Sequence, residues 1–494
     1  MSNYSIPSVN DLLSSPKLKA LANRFNPVAV FNTAKSVLDE VASEAKSAAL
    51  ERRFPDISEL TERIASRLKT TPFSKTVPEI NATGVLFPES APCQLPVQAI
   101  DRLIKSFGGE YEKTPQNKSN GNSENAAENP KTSKHKTAEE MIGELTGAED
   151  VLIVGNHAAA LISVASAFSA HNSILSSHAD LYETLAGYRV EEIFEQVATA
   201  WVTSVGTAVR VTPEDYLQKI NGEFAFLYAS NGNDAFFYEP QNRPTISQLA
   251  EIAKKRELPL VFDVEWGAFH SVKEYGLGNI PTYRDLIQQG ASLLILSCGG
   301  LNACDFAIGS TENAENPRAN SWRRHSLAAI AGGKKWVNQV RKSALFSAFI
   351  PASHEIAALE AILQLFESRN TAENEIPLWR LLSTEQENLR LRADRMASQL
   401  AAVSGVADAV AVSCHACLTP LRPGYVIPSQ QVLITLESPT AAELLAALAA
   451  YSPGIACSLV PERLDKIAVN LRTVFAKYDM LIIETLTACL TPAN

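Results

Sequence analysis

No stretch of the 494 residues approaches the roughly 18 to 20 consecutive apolar positions that carry a helix across a bilayer, so a helical membrane protein is excluded. The opening MSNYSIPSVNDLLSSPKLKAL has neither a basic n-region nor a continuous apolar h-region, so no export signal is expected and the cytoplasm is the expected compartment. Cysteine is scarce. The seven present are odd in number and scattered, which excludes a disulfide framework and fits reduced thiols. Basic charge is also short: 44 Lys and Arg against 54 Asp and Glu leave −10. Binding of nucleic acid by the whole surface is thereby excluded, because phosphate neutralisation needs clustered cations. The deficit is uneven, with eleven Lys and Arg against eight Asp and Glu in residues 1–75. Such a head could touch RNA or could be an ordinary solvated helical surface.

What is present suits a multi-domain globular chain: 46% hydrophobic residues, and length enough for two or three cores. Residues 1–75 read as a helical domain, since Val9, Leu12 and Leu13, then Val30, Ala34, Val37, Leu38 and Val41, then Ile57, Leu60, Ile64 and Leu68 recur at three- and four-residue steps. Pro72 and Pro78 punctuate its end. Residues 76–345 read as a large α/β domain. TAEEMIGELTGAE predicts a helix, DVLIVG a buried strand, NHAAALISVASAFSA a helix capped at the strand exit; FAFLYAS, LPLVFDV and ASLLILS then alternate with ISQLAEIAKKREL and YRDLIQQG, as in a parallel sheet with crossovers. Within it, residues 111–137 are polar and aperiodic and predict a mobile loop. Residues 346–494 predict a smaller α+β domain, with a long charged helix, EQENLRLRADRMASQLAA, the strand QQVLITLE and the helix TAAELLAALAA.

Taken in order, INATG, LTGAEDVLIVGNHAAAL, LPLVFDVEWGAF, ASLLILS, IAALEAIL and VNLRTV resemble the bacterial selenocysteine synthase family, the L-seryl-tRNA(Sec) selenium transferases, over essentially the whole chain. The resemblance implies a fold type I pyridoxal phosphate transferase, aspartate aminotransferase-like, with a smaller C-terminal α+β domain. It also implies dimers that assemble into larger rings, and an N-terminal domain that recognises the selenocysteine tRNA. Two parts of a cofactor site have their own chemical logic. Gly155, Asn156, His157 and Ala158 stand where a strand ends and a helix begins, and free N–H groups at a helix start bind phosphate. Asp263 ends the strand LPLVFDV, from which a carboxylate can keep a pyridine nitrogen protonated; that position matches the family.

The family's Ser-Gly-Asp-Lys-Leu-Leu-Gly-Gly run, whose lysine forms the Schiff base, reads Ser297, Cys298, Gly299, Gly300, Leu301, Asn302, Ala303, Cys304 here. Gly300 takes the place of the lysine. No lysine occurs between Lys273 and Lys334, so a small slip of alignment does not restore one, and Lys334 and Lys335 would reach the site only by unusual chain geometry. Arginines are missing as well: none lies between Arg102 and Arg189, the family's Ser-Arg-Gly-Glu reads Ser177, His178, Ala179, Asp180, its Gly-Gly pair becomes Leu185 and Ala186, and an Arg-rich stretch becomes ALFSAFIPASHE.

The expectation is a catalytically degenerate member with no covalent cofactor, acting as an oligomeric scaffold or regulator. It would assemble with itself from dimers or with an active synthase. The alternatives are a pyridoxal phosphate enzyme working without the usual lysine, by binding the cofactor as an external imine or with His157, His178 or His270 as the base, and an RNA-binding module acting on tRNA through residues 1–75. Glu183, Arg189, Arg210, Ser230, Asn231 and Arg472 survive from the family pattern as functional candidates or loop braces. Cys414-His415-Ala416-Cys417 could be a redox pair or half a zinc site, but no second pair has ligand spacing and no metal is expected. Cys298 and Cys304 flank Gly300 and could hold a soft ligand, or be inert buried thiols.

Overall fold

A computed structural model of the chain describes residues 56–70, 79–87, 94–107, 136–168, 172–184, 188–197, 201–207, 209–220, 223–232, 243–307, 324–419, 424–451, 453–460 and 465–490, with Arg463 and several positions between Leu12 and Val41. The chain divides into two compact units, one of residues 1–80 with 442–456, the other of residues 81–441 with 457–494. In the smaller unit Leu12, Leu18, Ala34, Val37, Leu38, Val41, Leu60 and Ile64 form one buried apolar cluster. These are largely the periodic positions of the head. Ile57, placed on the same stripe by its spacing, is instead exposed in the first turn of the helix Ile57–Thr70. Val9, Leu13 and Val30 lie outside the described residues, as does the segment 111–137 apart from its last two residues.

The larger unit is built on a seven-stranded sheet. Its strands are β1 (Asp150–Val154), β2 (Ser173–Ser177), β3 (Val202–Val205), β4 (Phe224–Ser230), β5 (Leu260–Val264), β6 (Leu293–Ser297) and β7 (Ala328–Gly332), in the order β1-β7-β6-β5-β4-β2-β3. Six strands run the same way. β7 is antiparallel to both its neighbours, pairing Gly332 with Leu293 on one side and Asp150 on the other. The parallel sheet read from the sequence therefore carries one reversed strand, which its alanine-rich AAIAG does not announce. Gly332 is required there: a Cβ would run into the Ser292 carbonyl oxygen. Central strands buried on both faces explain the continuous apolar runs LLILS and LVFDV.

Several helices start at side-chain caps. The Thr137 side chain accepts from the Glu140 N–H while Glu140 reaches back to the Thr137 N–H, and Gly147 closes the helix Ala138–Thr146 in the left-handed region at φ 78°. Thr212 and Thr245 open the helices Pro213–Lys219 and Ile246–Lys255 in the same way. Beyond the sheet, the helix Gln386–Leu400 packs on a long hairpin, Val406–Cys417 against Val426–Leu436, with Lys466–Asn470 on the other side of the second strand. The first hairpin strand was not foreseen, because its alternation of Ala, Val and Ser is weakly polar on either face.

Candidate functional site

The carboxyl ends of the parallel strands bring the family's cofactor positions together. Asp263, next to last in β5, is 0% exposed, and both its oxygens are engaged by protein side chains. His157 Nε2 lies 2.7 Å from Oδ1; the Tyr228 hydroxyl donates to Oδ2 at 2.6 Å and the Tyr182 hydroxyl at 3.1 Å. His157 Nδ1 is in turn 2.6 Å from the Tyr188 hydroxyl. Tyr182 fits because Gly232 has no side chain: a Cβ there would enter the tyrosine ring. Burial disfavours a charged imidazole, but the Asp263 carboxylate outweighs it by charge and by hydrogen bond, so the His157 pKa is raised. Burial, then the charge of Asp263, pushes Tyr182, Tyr188 and Tyr228 far up, so all three stay protonated and remain donors.

Two N–H groups around the helix start beside β1 are engaged from within. The Gly155 N–H donates to the Phe349 carbonyl at 2.9 Å, and the Asn156 side chain accepts from the Ala159 N–H at 2.8 Å, capping the helix His157–Phe168. Phe349 belongs to ALFSAFIPASHE, the stretch standing where the family is Arg-rich.

The loop after β6 is closed and braced. Gly300 sits at φ +60° with nothing within 4 Å of where its Cβ would be. The Ser297 hydroxyl accepts from the Gly299 N–H at 3.1 Å, and the Ser297 carbonyl accepts from Asn302 Nδ2 at 2.8 Å and from the Tyr283 hydroxyl at 3.1 Å. Trp379 Nε1 donates to the Leu301 carbonyl at 2.7 Å. Cys298 and Cys304 are both buried, and a Cys304 N–H to Cys298 carbonyl bond of 3.0 Å joins them. Lys334 and Lys335 lie just past the carboxyl end of the reversed β7, next to the start of β6. They are at the opposite end of the strands from Ser297 and Asp263.

The remaining candidates serve other contacts. Asn231 braces the turn after β5, its Nδ2 donating to the Trp266 carbonyl at 2.6 Å and its Oδ1 accepting from the Glu265 N–H at 3.0 Å. The Ser230 N–H donates to buried Asp180 at 3.0 Å, the Ser177 hydroxyl donates to the same carboxylate at 2.5 Å, and Arg243 pairs with it. Arg243 was missed because it stands alone in the segment QNRPTI, with no pattern marking a partner 63 residues away. Tyr182, Tyr188 and Tyr228 were missed too. Only Tyr228 carried a signal, as the polar tip in an otherwise apolar strand.

His178 is exposed, two strands from Asp263, with Nε2 3.1 Å from the Ser204 hydroxyl. His270 Nε2 is 2.7 Å from the Phe366 carbonyl, and burial lowers its pKa. The three histidines make no hydrogen bond to one another. Arg210 is exposed, while Arg189 reaches Glu191 at 3.3 Å and an isolated bridge pairs its backbone with Glu183. Leu185 and Ala186 lie outside the described residues. Arg472 is buried and donates to the carbonyls of Pro428 at 2.6 Å, Thr384 at 2.6 Å and Leu381 at 3.1 Å; burial draws its pKa down to about 10. Cys414 and Cys417 sit three apart on one extended strand, so alternation sends their thiols to opposite faces and they cannot chelate one ion together. No group of His, Cys, Asp and Glu able to hold a metal occurs among the described residues, and no described helix is long and apolar enough to cross a membrane.

The sequence profile of the L-seryl-tRNA selenium transferase family matches residues 113–324 and 325–475. The chain belongs to this family. Family members similar to it include the L-seryl-tRNA(Sec) selenium transferase of Moorella thermoacetica, 27% identical over 475 residues, 95% of this chain and 93% of the relative. That of Carboxydothermus hydrogenoformans is 26% identical over 400 residues, 80% of this chain and 78% of the relative. Among solved structures, D-glucosaminate-6-phosphate ammonia-lyase overlays with a TM-score of 0.54 at 15% identity, covering 86% of this chain and 98% of that one. The fold is that of fold type I pyridoxal phosphate enzymes, and within this selenium transferase family the cofactor belongs to the relatives' chemistry.

Proposed function

We propose that this family member is noncatalytic: a cytoplasmic selenocysteine synthase scaffold that has lost covalent pyridoxal phosphate and acts as an oligomeric scaffold or regulator, with its own copies or with an active synthase. The observation that carries this reading is the closed cluster around Asp263. A pyridine nitrogen must approach a carboxylate oxygen, and His157, Tyr182 and Tyr228 already surround both oxygens of Asp263. The phosphate corner supports it, since the Gly155 N–H is taken by the Phe349 carbonyl. So does the loop after β6, where Gly300 supplies no amine. The residues present fit the cofactor poorly at its ring nitrogen and offer its aldehyde no amine at Gly300.

The test is spectroscopic, on the full chain mixed with excess pyridoxal phosphate. We expect the absorbance of free cofactor, with no Schiff-base band that survives desalting. The variant Gly300→Lys is expected to give none either, because the other two contacts remain self-satisfied. A stable Schiff-base band in the unmodified chain, removed by one lysine substitution, would overturn the reading. Turnover of seryl-tRNA with a selenium donor, lost on His157→Asn, would establish the histidine-based alternative instead.

A further inference from the structure

The strand β3, Val202–Val205, is the last of the seven-stranded sheet, and its outer side is unpaired among the described residues. The Ile174 and His178 N–H groups donate to the Trp201 and Val205 carbonyls at 3.3 and 3.2 Å, so residues 201, 203 and 205 turn their main chain towards β2. Alternation then turns the N–H and C=O groups of Val202 and Ser204 outward, and no described residue bonds to them. Both faces of the strand are covered. The helix Val190–Val197 packs on it with Phe194 in one apolar cluster, and the helix Pro213–Lys219 packs on it with Tyr216 in the other cluster. What remains open is the edge itself. Sheets commonly guard an edge with Pro, Lys or a bulge, and VTSV, in unbroken register with β2, has none of them.

The surroundings of the edge select what pairs with it. Trp201, directly before the strand, is 78% exposed. Val209, in the turn closed by a Thr207 N–H to Arg210 carbonyl bond after the strand, is 71% exposed. An apolar side chain thus stands free beyond each end of the open edge. Charge is one-sided: residues 189–223, which hold the strand and both flanking helices, carry six carboxylates against three cations, and Arg189 is already paired with Glu191 at 3.3 Å. Glu192 and Glu195 lie exposed on one helix and Glu214 on the other. An extended basic peptide answers all three features. Its main chain pairs with Val202 and Ser204, its apolar side chains reach Trp201 and Val209, and a lysine or arginine meets the carboxylates or the Trp201 ring. An acidic strand would meet like charge instead.

We infer that the outer edge of β3 is a docking site for an extended, basic segment of another protein, which adds to the sheet as a further strand. This edge is three strands from that of Asp263, so the docking is independent of the cofactor reading and each can fail alone.

Fluorescence anisotropy tests this on the full chain with a labelled octapeptide, an alternating threonine–valine run with lysine at both ends. Saturable binding is expected, weakened about tenfold when glutamate replaces both lysines. Trp201→Ser should weaken it about fivefold. Ser204→Pro removes an outward N–H and leaves the ladder to β2 its bonds, so it should weaken binding about tenfold while the circular dichroism melt stays in place. Hydrogen exchange in the unmodified chain needs no variant: exchange in the fragment around Val202–Val205 should slow when the lysine peptide is added. An absence of saturable binding overturns the inference, as does binding that leaves this exchange unchanged or is indifferent to Ser204→Pro in a folded variant. Protection of the fragment that rises with protein concentration without peptide means that a second copy occupies the edge, which overturns it too. Equal affinity for the glutamate peptide rules out the basic partner.

Discussion

His157 and Asp263 behave as one unit, and the unit is pH-sensitive. The folded pKa of His157 lies above its ordinary value of about 6.5. The pair's stabilisation is therefore complete below that value and is lost as pH rises through the raised folded pKa. Thermal melts of the unmodified chain should fall relative to His157→Asn as pH is raised from 6 towards neutrality and beyond, and an unchanged difference between the two would show that the pair carries no charge. Tyr228 offers a pH-independent check on the same cluster. Its 2.6 Å bond to Asp263 is buried, and Tyr228→Phe leaves a carboxylate oxygen short of a donor. A loss of about 2 kcal/mol in urea unfolding is expected. The sequence marked Asp263 and His157 by position, but the three tyrosines that complete the cluster stand 81, 35 and 31 residues from their partners. No local pattern connects them.

The helix His157–Phe168 shows how far an element can be read in advance. Its start was legible because Asn156 follows a buried strand and its side chain can accept the N–H three residues on. Asn156→Ala should cost about 1 kcal/mol of stability, read by chemical denaturation. Whether that helix start stays open for an anion was not legible, since the group that takes the Gly155 N–H comes from Phe349. The reversed strand β7 is the converse case. Its residues carry little strand signal, yet Gly332 is fixed by the approach of Ser292, and Gly332→Ala should destabilise the fold by a few kcal/mol through backbone displacement. A soluble Gly332→Ala protein with an unchanged melt would contradict that packing.

Across the larger unit, buried cations hold separate elements together. Arg392 grips Asp479 through bonds of 2.9 and 2.7 Å and also reaches the Val474 carbonyl at 2.8 Å, tying the helix Gln386–Leu400 to Asp479–Leu490. Arg472 does the same with carbonyls alone, joining the strand at Pro428 to the helix end at Leu381–Thr384. Arg472→Met would orphan several buried carbonyls at once, and a loss of about 3 kcal/mol, seen as a lower urea midpoint, is expected. These contacts give Arg472 a bracing role within the larger unit.

The sequence by itself determined the family, the α/β class and the absence of an amine at Gly300, because these follow from residue identity and from periodicities of two and 3.6 that are local. Only the tertiary structure decided the state of the site around Gly300. Hydrogen-bond donors and acceptors pair through space, so it took the folded chain to show Asp263 occupied by His157, Tyr182 and Tyr228 and the Gly155 N–H occupied by Phe349. It also took the fold to carry Lys334 and Lys335 to the amino ends of the parallel strands, where a reversed strand ends.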